Sequence, residues 1–221
     1  MVPMSRSNRT GRFAEFFNNE SGWADFFITR IGLILFAGIL LLTAFKIYPM
    51  FQEQERRLYL DTIASDLASK IEAVDSITIP GYKYNYVFEE NSRDVRIEIS
   101  TEYVTVHTNI SSSIWGEREL IHPEPVISHV YPPNSNWSNT SGFRKFVSNG
   151  IGGGKNGDAS SPLDLEAEKG NVDNIFESVS KELARSPFIP DLNKSLFIEK
   201  VIVYYKDKNK IQGRDYVFVH Q

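Results

Sequence analysis

The stretch "GIGGGK", Gly150 to Lys155, is the first place where residue types and spacing suggest chemistry. A phosphate-cradling loop needs Gly, four residues, then Gly-Lys-Ser/Thr between a strand and a helix, so that backbone N–H groups surround the phosphates. Here Asn149 stands where the first glycine belongs, Asn156 where the hydroxyl belongs, and the flanks are polar. The stretch reads as a flexible loop tip. The four histidines, His107, His122, His129 and His220, raise the question of a metal. A metal site needs several ligands converging, commonly at helical or tight-turn spacing. His122 and Glu124 are separated by Pro123, and His129 falls in a predicted strand, so the histidines read as a chance distribution: no metal and no cofactor are expected. No Ser, His and acid grouping stands in a nucleophile context, "GFRKF" lacks the elbow pattern, and the pair Glu89-Glu90 belongs to a solvated turn. These residues point to a protein that is not an enzyme.

Composition narrows the classes further. The 221 residues, 41% of them hydrophobic, suffice for one domain of ordinary size plus an appendage. A net charge of -4, with no Lys/Arg stripe interleaved with aromatics, argues against nucleic acid as a partner. Cysteine is absent, which removes disulfides, thiolate metal sites and a cysteine nucleophile together. The fold must be held by its core.

The elements that would position any site begin with "TRIGLILFAGILLLTAFKIYPMFQEQERR", residues 29–57. No charge interrupts Ile31 to Phe45, and if Lys46 directs its ammonium toward headgroups the apolar run continues to Phe51. That is about 20 residues, or about 30 Å of helix, the thickness of a bilayer core. A buried soluble helix rarely stays apolar on every face for this length. Tyr48 suits one interface, and Trp23, Phe26 and Phe27 suit the other. Arg6, Arg9, Arg12 and Arg30 precede the run whereas Glu53, Glu55, Arg56 and Arg57 follow it, which predicts a cytoplasmic N-terminus. Past the run there is no small-x-small cleavage site, so the segment is expected to be retained as a single-pass anchor in the cell membrane.

Beyond the anchor, Leu60, Ile63, Leu67, Ile71 and Val74 recur at steps of three and four, predicting one amphipathic helix continuing from the membrane, with Pro49 bending it. Domain boundaries follow: 1–30 cytoplasmic leader, 31–51 transmembrane helix, 52–78 amphipathic helix, 79–221 extracytoplasmic β-rich domain. "YKYNYVF" alternates Tyr82, Tyr84, Tyr86 and Phe88 on one face, and "EENSRD" offers a hairpin turn into "VRIEIS". The phase then slips before Val104 and Val106, implying a bulge or tight turn near Ser100 to Glu102. A short strand is expected at residues 125–131. Residues 132–170 turn to Asn, Ser and Gly and read as one long surface loop. An amphipathic helix through Val172, Ile175, Phe176, Val179 and Leu183 should end before Pro187, and "LFIEKVIVYY" with "RDYVFVHQ" closes the chain as a β-hairpin. The fold class is α+β: a long N-terminal helix packed on an antiparallel sheet domain.

With that topology, four N-glycosylation patterns fall on the outer side, at Asn109, Asn136, Asn139 and Asn193, with Asn136 and Asn139 in the loop that must be exposed. Most external aromatics are expected to pack a sheet on the helix. Trp137, in the polar loop, is either a contact residue or a loop anchor.

The run "RIGLILFAGILLLTAFKIYPMFQEQERRLYLDTIASDLASKIEAV" followed by an external β-rich domain resembles the type IV pilin-like proteins, the archaeal ones in particular. The resemblance covers the first third of the chain closely and the rest in class. It implies a cytoplasmic leader removed after a glycine near a basic residue, for which Gly32, two after Arg30, is the position, with Gly22 as the alternative. The fifth mature residue would be Ala37 or Phe27, where many bacterial members carry glutamate. A minor pilin, or an unprocessed relative kept as a membrane subunit, is what this pattern implies. The expected function is that of a non-enzymatic, structural cell-surface protein, a subunit of a pilus-like or secretion-type assembly. Its partners would be the membrane and other pilin-like subunits or copies of itself, packed where Gly32, Ala37, Gly38 and Ala44 permit close approach. The rival expectation is a membrane-tethered binding or sensor module whose ligand sits near Trp137.

Overall fold

The computed structural model describes residues 11–89, 94–112, 116–151, 155, 157–164, 169–208 and 210–221. The chain divides into two units, residues 1–53 and 54–221. Helix α1 (Gly11–Ser76) contributes to both and passes without a break through Pro49. Its stretch from Trp23 is long and apolar enough to cross a membrane, and none of the most apolar window is buried. Thr43 Oγ1 donates to the carbonyl of Ile39 at 2.7 Å, which satisfies the hydroxyl inside the helix as an apolar surrounding would require. The guanidinium of Arg30 lies 4.9 Å from the centre of the Phe26 ring.

From Gln54 onward the same helix becomes one-sided. Leu60, Ala64, Leu67, Ala68, Ile71 and Val74 are buried, a stripe at helical spacing, while residues between them face outward. The stripe packs on two sheets. One is a meander of β2 (Val95–Ile99), β3 (Tyr103–Ser112) and β4 (Gly116–Pro125). The other runs β1 (Lys83–Tyr86), β7 (Leu196–Asp207), β8 (Lys210–His220), β5 (Val130–Tyr131), and β6 (Leu163–Asp164) pairs with β7. All pairings are antiparallel except β5 with β8 and β6 with β7. The fold is α+β.

Alternation along β7 and β8 feeds two cores. Leu196, Ile198, Val217 and Val219 join the α1 stripe and the meander, whereas Val201, Val203, Tyr205, Tyr216 and Phe218 face α2 (Thr140–Ile151) and α3 (Lys169–Arg185). The helix end is tied to this sheet by Lys200, whose ammonium is buried, pairs with Asp215 at 2.8 Å and donates to the carbonyl of Asp75. A cation on the last carbonyls of a helix complements its dipole. Glu72 and Asp75 accept from Ile127 N and Ser128 Oγ at 3.1 and 2.8 Å, and Tyr86 donates to Asp66 at 3.0 Å.

Three expectations are corrected. The 132–170 stretch is not one loop, because it holds α2 and β6 and α3 opens at its end. Phe143 and Val147, one helical turn apart, are fully buried, and a high share of Ser, Asn and Gly hid this spacing. Nor do the strands on either side of "EENSRD" form a hairpin: β1 pairs with β7 and β2 with β3, since alternation fixes which face is buried and not which strand is the neighbour. The strand expected at 125–131 is reduced to β5, while β4, unforeseen, precedes it. Only Leu120 of β4 is buried, and Pro123 and Pro125 are tolerated because β4 is an edge. The phase slip at Ser100–Glu102 is the turn between β2 and β3, where Ile99 pairs with Val104, and α3 ends before Pro187.

Candidate functional site

Five groups of residues stand out by their chemistry, and the fold disposes of them differently. The glycine-rich stretch begins inside α2, and residues 152–154 and 156 lie outside the described ones. A Cβ on Gly150 would stand 2.5 Å from Ile175 Cδ1, so this glycine lets α2 and α3 approach. That makes Gly150 a packing residue and not part of a loop tip, while the tip itself, residues 152–154, lies outside the described residues. Trp137 is 3% exposed, donates from Nε1 to the carbonyl of Pro132 at 3.0 Å, and meets the rings of Phe143 and Phe146 at 5.2 and 4.9 Å. Of the two readings left open for it, the anchor is the one the packing supports.

All four sequon asparagines, Asn109, Asn136, Asn139 and Asn193, are exposed. Asn139 is the cap of α2: its side-chain oxygen accepts from Gly142 N at 2.8 Å. Asn193 already donates from its amide nitrogen to Asp191 at 3.1 Å. In α1, a Cβ at Gly32 or Gly38 would meet nothing within 4 Å. At about 100° per residue, Ala37 and Ala44 share a face, while Gly32 and Gly38 lie on other sides of the helix. The four small residues therefore do not form one stripe.

The histidines separate into three settings. His220 Nε2 faces Glu199 at 3.5 Å, and Thr140 Oγ1 donates to the same carboxylate at 2.7 Å. Burial first, and then the Lys83 charge, hold the His220 pKa below its ordinary value against the opposing pull of Glu199. His107 is gripped on both sides, Nδ1 by Glu119 at 3.0 Å and Nε2 by Glu98 at 3.5 Å. His122 is the third. Its Nε2 lies 3.2 Å from Asp61 and 3.6 Å from Glu124.

That last cluster follows from ordinary element geometry. Leu120, His122 and Glu124 alternate onto one face of β4. Leu120 is buried under α1, next in the helix to buried Leu60 comes Asp61, and the two elements thereby carry the imidazole and both carboxylates to one place. The imidazole nitrogen and the carboxylate oxygens all lie within 4.8 Å of one another. An open cleft of about 240 Å³ adjoins them, lined by Asp61 and His122 together with Gln54, Arg57, Leu58, Leu60, Leu120 and Ile121. His122 and Glu124 are near neighbours in the sequence, whereas Asp61 is brought to them by the packing of α1 on β4.

The buried tyrosines complete the inventory. Tyr205 and Tyr216 share a hydrogen bond at 2.8 Å, and burial raises both phenols above their ordinary range, as it does Tyr131. They are core polar groups satisfied by each other. No protein-family model, no curated protein and no solved structure matches the chain.

Proposed function

We propose that the protein is a non-enzymatic, single-pass membrane subunit of a pilus-like or secretion-type surface assembly, with its N-terminus in the cytoplasm and the α+β unit outside. The observation that carries this reading is the change of character within α1: the Gly11–Ser76 helix leaves its apolar stretch from Trp23 uncovered and then buries a regular stripe from Leu60 to Val74. A helix that only crossed a bilayer would need no continuation fused into a sheet core. One whose later turns are built into a domain core suits lateral packing of its apolar stretches in an assembly. Ala37 and Ala44, on one face, are the positions at which a neighbouring helix could come close. Four arginines, Arg6, Arg9, Arg12 and Arg30, on one flank against Arg56 and Arg57 on the other support the orientation.

The test is to replace residues 31–51 with an unrelated membrane helix of equal length and follow assembly by cross-linking in the native membrane. Under this reading the α+β unit still folds and reaches the surface, but higher-order cross-linked species disappear. Persistence of those species with the foreign helix would show that the segment is a tether only. A membrane-tethered binding module then becomes the better reading, and the cleft beside Asp61 and His122 is the observation that favours it.

A further inference from the structure

We infer that Asp61, His122 and Glu124 form a binding site for a divalent transition ion of the zinc class, clamping α1 to the edge strand β4. The argument starts from distances. Donors about 2.0–2.2 Å from a tetrahedral ion stand about 3.3–3.6 Å from one another. His122 Nε2 lies 3.2 Å from Asp61 Oδ1 and 3.6 Å from Glu124 Oε2, so both pairs that include the ring nitrogen have the separation of neighbouring ligands, and the two carboxylate oxygens lie within 4.8 Å of each other. Both carboxylates address the same ring nitrogen. That nitrogen is screened from solvent and makes no aligned hydrogen bond, which is equally true of Nε2 in His107 and His220, so what distinguishes His122 is the convergence of two carboxylates on it.

His107 supplies the contrast. Its two carboxylates sit on opposite ring nitrogens, and Glu98 is also taken by Arg96, so the three cannot converge on one ion. His220 faces Glu199 alone among the described residues. Among the described residues, only at His122 do three donor groups of the kind borderline ions accept meet on one side of a ring. The adjoining cleft leaves room for water in the remaining position, the open arrangement of a three-ligand site. One nitrogen and two oxygens favour zinc over magnesium, which seeks an all-oxygen octahedron. The site involves neither the apolar stretch nor any neighbouring copy, and so stands independently of the assembly proposed above.

The experiment uses the full chain in detergent micelles, stripped with chelator and titrated with Zn2+ by calorimetry, with millimolar Mg2+ present. One Zn2+ per chain is expected, with His122→Ala, Asp61→Asn and Glu124→Gln each weakening it by more than about tenfold. His107→Ala should leave the titration unchanged. X-ray absorption on the loaded protein should show nitrogen and oxygen donors at about 2.0–2.2 Å. Should His122→Ala lose its circular-dichroism signature, Asp61→Asn decides, since that side chain is 55% exposed and no part of the core. Absence of stoichiometric binding, binding that survives Asp61→Asn and Glu124→Gln, or loss on His107→Ala instead would each overturn the site.

Discussion

Gly157 shows how much a single position in this fold can carry. Its φ of +68° is left-handed, and a Cβ there would come within 3.0 Å of Val203 Cγ1 in the core beneath α2 and α3. Its carbonyl accepts from Tyr204 N at 2.9 Å, so the turn cannot swing away without leaving β7 short of a partner. Gly157→Ala should therefore destabilise the protein by about 1–3 kcal/mol in chemical denaturation. Gly32→Ala, with open space around it inside a helix, should cost nothing and stabilise α1 by up to about 1 kcal/mol. His220 gives a pH-dependent counterpart. Because burial and Lys83 lower its folded pKa beneath the ordinary value, the folded state prefers the neutral ring and the unfolded chain takes up the proton first. The stability from this residue is complete above its ordinary pKa of about 6.5 and is lost as pH falls through that value toward the folded one. The melting temperature should accordingly decline between pH 7 and pH 5, and His220→Gln should flatten that decline while leaving the steeper carboxylate-driven loss below it.

At the scale of elements, the one-sided stretch of α1 allows its buried and its exposed face to be compared. Leu67 is fully buried against both sheets and Leu58, about two and a half turns earlier, is 60% exposed. Leu67→Ala should cost about 2–5 kcal/mol, and Leu58→Ala less than about 0.5 kcal/mol, measured as shifts in denaturation midpoint. Equal losses at both would mean that something covers Leu58 in solution. The same helix was the most legible part of the sequence, because a run of uninterrupted apolar residues and then a three-and-four stripe can each arise in few ways. The β7–β8 hairpin was legible for a similar reason: its alternation is long and its turn short. Strand partners were not, since Tyr82, Tyr84 and Tyr86 announce a face but Lys83↔Glu199 is settled by packing over more than a hundred residues. Helix α2 was hidden because its buried positions, Phe143 and Val147, are few and its cap, Asn139, sits in a run of residues that also make turns. For the candidate site the limit was distance along the chain. His122 and Glu124 are two residues apart and visible as a pair; Asp61 joins them only after the helix packs on the meander.

For the whole molecule, the decisive question under the proposed function is how much of the chain is present in the mature protein, and intact mass answers it. The full sequence has a mass of 25.2 kDa. An assembly subunit of the pilin-like kind should be found shortened, beginning at Leu33 if cleavage follows Gly32 or at Trp23 if it follows Gly22. Removal at Gly32 would leave the apolar run almost whole, since Leu33 to Phe51 is still about 28 Å of helix and enough to hold the α+β unit at a bilayer. It would also strip Arg6, Arg9, Arg12 and Arg30 from the inner flank. Charge that had fixed the orientation during insertion would then be gone from the mature helix, allowing its lateral packing in an apolar shaft without an unpaired guanidinium. A full-length mass would keep that charge in place and hold the chain in the membrane as a tethered module, the reading under which the cleft beside His122 takes precedence. Mass added in hexose-sized steps would report on the sequons. Asn109, Asn136, Asn139 and Asn193 are exposed, so any such increment should vanish on Asn→Gln replacement at one or more of them.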